Sequence, residues 1–338
     1  MTDRIVQIDP LVTLPAFDDL TREYRGEVPG AGILVLRGGV PVIRWAGGMA
    51  DREAGTAATG ATNYRLASLS KQFTAAAVLL LVEQGVLSLD APVREWLPPL
   101  PACAAGATLR HLLTHRSGLI DYEDLIPPGR TAQLYDADVL RLLACEHRGY
   151  FAPGTAYRYS NGGYALLALI VEVASGRSFS RFLRERIFEP LGMAGTLAYQ
   201  EGASPVAHRA YGYTRVDGAW RRTDQDLTSA VLGDGGVYSS IEDLAKWDAA
   251  LYDGRLLRPE SLALAFAPAT ATDDPATCYG FGWRITGDSV WHSGESVGFR
   301  NVIVRWPKRR LTVIVLTNRD APEPYRMALR LAEMGAAR

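Results

Sequence analysis

Ser68 and Lys71 stand three residues apart at the head of an apolar stretch, in the run Asn63-Tyr64-Arg65-Leu66-Ala67-Ser68-Leu69-Ser70-Lys71. On a helix that spacing stacks the two side chains one turn apart on the same face, close enough for an amine to take a hydroxyl proton. A serine relieved of its proton attacks carbonyl carbon, so the chemistry would be acyl transfer. In the first helical turn Ser68 would also meet unpaired backbone N–H groups and the positive helix end, which favour the negative charge developing on an attacked carbonyl.

A serine and a lysine at this spacing on a surface helix are ordinarily neutral structure. Composition argues otherwise here. Only Lys71, Lys246 and Lys308 are lysines among 36 basic residues, so the chain uses arginine unless something demands lysine. Arginine cannot give up its proton in a protein, whereas a desolvated lysine can. Lys246 follows Ser240 and Asp243, a capping-box pattern that opens an ordinary surface helix.

Two further tripeptides lie far along the chain. Tyr159-Ser160-Asn161 precedes a helix, and its phenol and amide on one side of an extended turn offer a proton relay and a hydrogen-bonding group for a substrate amide. Taken alone it would read as a helix N-cap with a buried tyrosine. His292-Ser293-Gly294 ends a strand. Gly294-Glu295-Ser296-Val297-Gly298 also fits the nucleophile elbow G-x-S-x-G, but a strand-like run follows it and no histidine occurs after His292, so Ser296 reads as a turn residue. His111, His115, His147 and His208 form no metal-binding pattern, and His115 reads as a loop-fixing side chain. Tyr122 borders the pocket or simply packs in its loop.

The chain is 338 residues with 48% hydrophobic and 22% charged residues, enough for a substantial core. Residues 16–24, with Phe17, Leu20 and Tyr24 at helical spacing, are followed by strand patterns at 32–37 and 40–46 around Gly38-Gly39. The helix led by Lys71 is apolar all round, as for a buried helix. Helices recur at 109–115, 137–145, 164–174, 179–188, 241–251 and 262–267. Strand patterns return at 281–285, 290–292, 299–306 and 311–317, before a last helix at 327–334. The fold class expected is α+β: an antiparallel β-sheet flanked by helices, from residues 1–60 and 278–338, with a mostly helical domain inserted at 61–277 and the active site between them.

A net charge of -1 offers no general pull toward nucleic acid or an anionic membrane. Cys103, Cys145 and Cys278 are odd in number and dispersed, which indicates neither a disulfide framework nor a zinc site, and no cofactor or metal is expected. Residues 1–20 carry scattered charge without an apolar core segment, and the longest apolar run is too short to span a bilayer; the expectation is a cytoplasmic protein.

Together these motifs resemble the serine β-lactamase and penicillin-binding protein superfamily, in its class C β-lactamase-like branch of DD-peptidases, D-aminopeptidases and esterases. The resemblance extends to Leu112-Leu113-Thr114-His115-Arg116-Ser117-Gly118-Leu119, Pro190-Leu191-Gly192-Met193 and Gly233-Asp234-Gly235-Gly236-Val237-Tyr238-Ser239-Ser240, which read as scaffold. It implies a β-lactamase/transpeptidase-like fold and a serine hydrolase that cleaves a small ester or amide through an acyl-enzyme. Ser68 would attack, Lys71 and Tyr159 would handle its proton, and Asn161 would hold the substrate. His292, Ser293 and Gly294 would line the opposite wall, and the N–H groups of Ser68 and Glu295 would form the oxyanion hole. The alternative is a penicillin-binding, receptor-like domain that is acylated but turns over poorly. Where the family often has Lys-Thr-Gly this chain has His292-Ser293-Gly294. An imidazole of ordinary pKa about 6.5 is mostly neutral at pH 7 and holds a β-lactam carboxylate poorly, unless Arg300 reaches the site.

Overall fold

The computed structural model describes residues 5–8, 14–200 and 205–336; the segment 1–20, read above for an export signal, lies partly outside them. Among the described residues nine strands form one sheet: β1 (Ile5–Ile8), β2 (Ala31–Arg37), β3 (Val40–Gly47), β4 (Thr270–Ala271), β5 (Thr277–Tyr279), β6 (Arg284–Thr286), β7 (Ser289–Ser296), β8 (Phe299–Trp306) and β9 (Leu311–Thr317). Their spatial order is β1-β3-β2-β9-β8-β7-β6-β5-β4, antiparallel at every step.

The central strands are apolar at nearly every position because both sheet faces are covered, so alternate side chains enter different cores. Ile33, Val35, Val302, Val304, Val313 and Val315 join Phe17 and Leu331 beneath the helices α1 (Leu14–Thr21) and α6 (Tyr325–Ala336). Leu34, Leu36, Ile303, Ile314 and Leu316 face the other way, into the core built around α2 (Lys71–Glu83). Each such side chain contributes roughly 1.5–3 kcal/mol on burial, so the two covered faces supply much of the fold's stability.

Every residue of α2 from Lys71 to Leu81 is buried, which accounts for its lack of a polar stripe. Beside it run α3 (Asp136–Ala144), α4 (Asn161–Ser175) and α5 (Ile241–Asp253). A buried ion pair helps to join α5 to the sheet: Asp248 accepts from Arg305 Nε at 2.6 Å and from Thr312 Oγ1 at 2.8 Å. Ser240 Oγ caps α5 by accepting from Asp243 N at 3.2 Å. The Asp243 carboxylate does not return the bond; it accepts from Gly195 N and Thr196 Oγ1 and pairs with the part-exposed Lys246.

Two departures from the expected elements have local causes. The strand anticipated at 281–285 begins only at Arg284, because Gly282 is at φ +77°, where a Cβ would lie 2.7 Å from the Lys71 carbonyl oxygen. The hairpin Tyr213–Val216 with Ala219–Arg222 was not anticipated; arginines and an exposed edge hide its alternation. Among the described residues no helix is long and apolar enough to cross a membrane.

Candidate active site

The segment before Ser68 is clamped from two sides. Tyr64–Arg65 pairs with Tyr238 and Ser239, and Leu66 N donates to Val237 O at 2.8 Å. From the sheet, Asn301 Nδ2 donates to Arg65 O at 2.8 Å, and Gly294 of β7 lies so close that a Cβ there would sit 2.0 Å from Leu66 O. Held this way, the chain passes through Ala67 at φ +50°, a conformation that an L side chain adopts only at a cost of about 1–3 kcal/mol. A 3-10 turn, Ala67–Ser70, then carries Ser68 to the surface of a cavity, and α2 starts at Lys71 itself. The sequence placed Ser68 in the first turn of that helix; it lies in the tighter turn before it.

Lys71 is fully buried, and its ammonium group has three neighbours at hydrogen-bonding distance: Ser68 Oγ at 2.9 Å, Asn161 Oδ1 at 2.8 Å and the carbonyl oxygen of Asp234 at 2.9 Å. Three N–H groups meet three acceptors, so the cation is completely satisfied without water. Asn161 is the first residue of α4, capped by Ser160 Oγ accepting from Gly163 N at 3.2 Å. Its backbone N donates to Asp121 Oδ2 at 2.7 Å and its Nδ2 to Glu123 Oε1 at 2.9 Å. The amide expected to hold substrate is thus engaged at both ends.

Tyr159 lies half-buried beside this group, with Lys71 Nζ 5.0 Å and Arg284 Cζ 5.5 Å from its ring centroid. Its ring packs on His115 at 4.3 Å. His115, at φ +57°, accepts from Ser160 N through Nδ1 at 3.1 Å, the loop-fixing role read from sequence. His292 is 1% exposed and buried against Tyr279 and Tyr159. Burial, reinforced by Arg284 and Lys71, holds its pKa well below 6.5, so the ring is neutral at pH 7. The neutral ring donates from Nδ1 to Ser293 O at 2.6 Å and accepts at Nε2 from Tyr279 Oη at 2.9 Å.

A cavity of about 160 Å³ opens over Ser68. Ser68, Asn161, Glu123, Asp226 and Asp234 line it, together with Glu295 and Ser296 from β7. Ser293, Gly294 and His292 of that strand are not among the lining residues, and neither is Tyr159. Arg65 is the one basic side chain in the lining. Arg300 is turned to backbone, donating to Ser296 O and Phe299 O at 2.8 Å, with Glu295 3.6 Å away.

The acidic lining was not legible beforehand. Burial pushes the Asp234 carboxyl up to about 8, against the pull of Lys71, while Asp136 and Glu123 push it further in the same direction. Tyr122, buried, donates to Asp234 Oδ2 at 3.2 Å. Glu123 is also raised, by protein crowding on its cavity side although much of the residue is exposed, and its bond from Asn161 works against that rise. Among the described residues no group of three or more His, Cys, Asp or Glu is placed to hold a metal ion.

The beta-lactamase family model matches residues 17–337. The chain is 36% identical over 285 residues to penicillin-binding protein 4* of Bacillus subtilis (strain 168), covering 79% of this chain and 63% of that one. It is 31% identical over 299 residues to a D-aminopeptidase of Gluconobacter oxydans (strain 621H), covering 86% of this chain and 56% of that one. The chain therefore spans about 56–63% of the length of these relatives. Among solved structures it is similar to a D-amino acid amidase from Ochrobactrum anthropi SV3 complexed with L-phenylalanine amide, with TM-score 0.76, 29% identity and coverage of 89% of this chain and 91% of that one. With the family match running nearly end to end over a helix-flanked antiparallel sheet, the chain belongs to the beta-lactamase family.

Proposed function

We propose that the protein is a serine hydrolase that cleaves small amides, peptides or esters through an acyl-enzyme on Ser68. The observation that carries this reading is the set of three contacts around Lys71 Nζ. A neutral amine has two N–H groups and one lone pair. With Asn161 Oδ1 and Asp234 O each taking an N–H, the lone pair is left for the Ser68 hydroxyl.

Ser68 Oγ attacks the substrate carbonyl carbon as its proton passes to Lys71. The N–H groups of Ser68 and Glu295 receive the oxyanion. The ladder supports the second donor: Ser296 and Phe299 close a two-residue turn, which makes Glu295 and Arg300 a wide pair whose N–H groups face away from each other. Arg300 O accordingly bonds Thr317 Oγ1 on the far side. β6 pairs with β7 only as far as Trp291, which leaves the edge at Glu295 for substrate. When the tetrahedral intermediate collapses, the proton leaves Lys71 by way of Tyr159 for the departing amine or alcohol. Water then hydrolyses the ester on Ser68.

The lining of Glu123, Asp226 and Glu295 favours a substrate with a positive group next to the scissile carbonyl, such as the free amine of a D-amino acid amide or a D-aminoacyl peptide. A buried, neutral His292 and an occupied Arg300 supply no cation for a β-lactam carboxylate. A panel of D- and L-amino acid p-nitroanilides, p-nitrophenyl acetate and a chromogenic cephalosporin tests the reading. The expected order is amine-bearing amide or simple ester above cephalosporin. Efficient cephalosporin turnover with negligible amidase and esterase activity would contradict it. A lasting adduct without turnover would favour the acylated receptor-like alternative.

A further inference from the structure

Asp136 is a buried carboxyl group that none of the steps above uses. It is the first residue of α3, 8% exposed, and its two oxygens each accept one backbone N–H: Leu232 N at 2.9 Å and Gly233 N at 3.0 Å. Those amides open the short helical turn Leu232–Gly235, whose Asp234 carbonyl holds Lys71. The turn is fixed on its other sides as well. Gly233 O accepts from Thr74 Oγ1 of α2 at 2.7 Å, and a Cβ on Gly233 would lie 2.2 Å from Tyr164 O of α4.

Burial is costly for this carboxyl. It is pushed up to about 7 chiefly by desolvation, the two amide bonds pull the other way, and Glu172 of α4 adds to the rise. No basic side chain pairs with Asp136 among the described residues, and the nearby Asp234 is itself acidic. An asparagine of the same shape would avoid the desolvation but has only one acceptor atom, so it could hold one of the two amides and would set an N–H against the other. What a carboxylate supplies here is the simultaneous hold on both.

We propose that Asp136 is a positioning residue for Lys71: by fixing both amides at the start of the Leu232–Gly235 turn, it aims the Asp234 carbonyl at one Lys71 N–H and so leaves the amine's lone pair on Ser68. This rests on the reading of Lys71 as the base. The consequence is a defect confined to proton transfer. The turn also forms the Asp234 side of the cavity, but p-nitrophenyl acetate carries no charged group for that side to hold, so its binding is expected to change little.

The test is stopped-flow acylation by p-nitrophenyl acetate with wild type, Asp136→Asn, Thr74→Val and Lys71→Ala, each checked by circular dichroism and thermal melting. In folded Asp136→Asn the acylation rate is expected to fall about tenfold or more with KM within about twofold. A lowered melting temperature with an unchanged acylation rate, or a defect carried by KM alone, would show a merely structural residue and overturn the proposal. If Asp136→Asn does not fold, Thr74→Val decides. It loosens the same turn from the α2 side without touching a charge, and it should acylate more slowly at unchanged KM; a wild-type rate would overturn the proposal. Lys71→Ala separates the two readings. If it keeps acylating, the base assignment itself has failed; if it is inactive while Asp136→Asn is normal, only the positioning role has.

Discussion

Asn161 donates from Nδ2 to Glu123 at 2.9 Å, and that one contact settles which end of the amide faces Lys71. With the nitrogen committed to a carboxylate, the oxygen must point at the amine and accept from it. The orientation on which the proposed base depends is therefore enforced by a residue outside any motif.

Asn161→Asp should lower kcat/KM by about a hundredfold, because a carboxylate beside Lys71 favours the ammonium and repels Glu123. Adding Glu123→Gln should recover part of the loss by restoring a donor to that end of the side chain. Steady-state kinetics on a p-nitrophenyl ester measures both, and a double variant no better than the single one would argue against the network.

Glu123 also lines the cavity. For an amine-bearing D-amino acid p-nitroanilide, Glu123→Gln should raise KM about tenfold, the scale of one lost charge contact, while p-nitrophenyl acetate is affected much less. Equal losses on both substrates would mean that Glu123 serves only to orient Asn161.

Asp234 predicts how stability varies with pH. Its folded pKa, about 8, is above the ordinary 3.8, so the folded protein binds the extra proton between those values. The cost of burying the ionised form is absent below about pH 4, grows as pH rises and is complete above about pH 8. Asp234→Asn should therefore raise the melting temperature at pH 8–9 by a few degrees and change it little at pH 4–5. Stabilisation confined to acid pH would contradict the shift.

Lys71→Arg keeps the positive charge but removes the only compact amine near Ser68. It should reduce kcat/KM by about a thousandfold or more in a protein that remains folded by circular dichroism, because arginine cannot act as the base. If the folded variant kept even a third of wild-type activity, the proton would have to be taken by another group.

The pair Ser68–Lys71 could be read from sequence because its geometry is local: three residues on a helical path fix the approach of two side chains. The strands Phe299–Trp306 and Leu311–Thr317 were equally legible, as long apolar runs broken by Pro307-Lys308-Arg309-Arg310. Glu123 and Asp234 were not. Each meets the site through contacts across the chain, Glu123 with Asn161 and Asp234 with Lys71 and Tyr122, and neither contact leaves a local pattern. His292 shows a related limit. Its place on a strand was visible, but that strand runs on to Ser296 rather than ending at the tripeptide, and the ring's burial against Tyr279 depends on tertiary structure.

A covalent acyl-enzyme on Ser68 would be caught by peptide mass mapping after rapid acid quench of a p-nitrophenyl ester reaction. The acyl mass is expected on the peptide containing Ser68, absent in Ser68→Ala, with undiminished labelling of Ser68 in Ser296→Ala. An acyl group on Ser296, or turnover by Ser68→Ala, would contradict it.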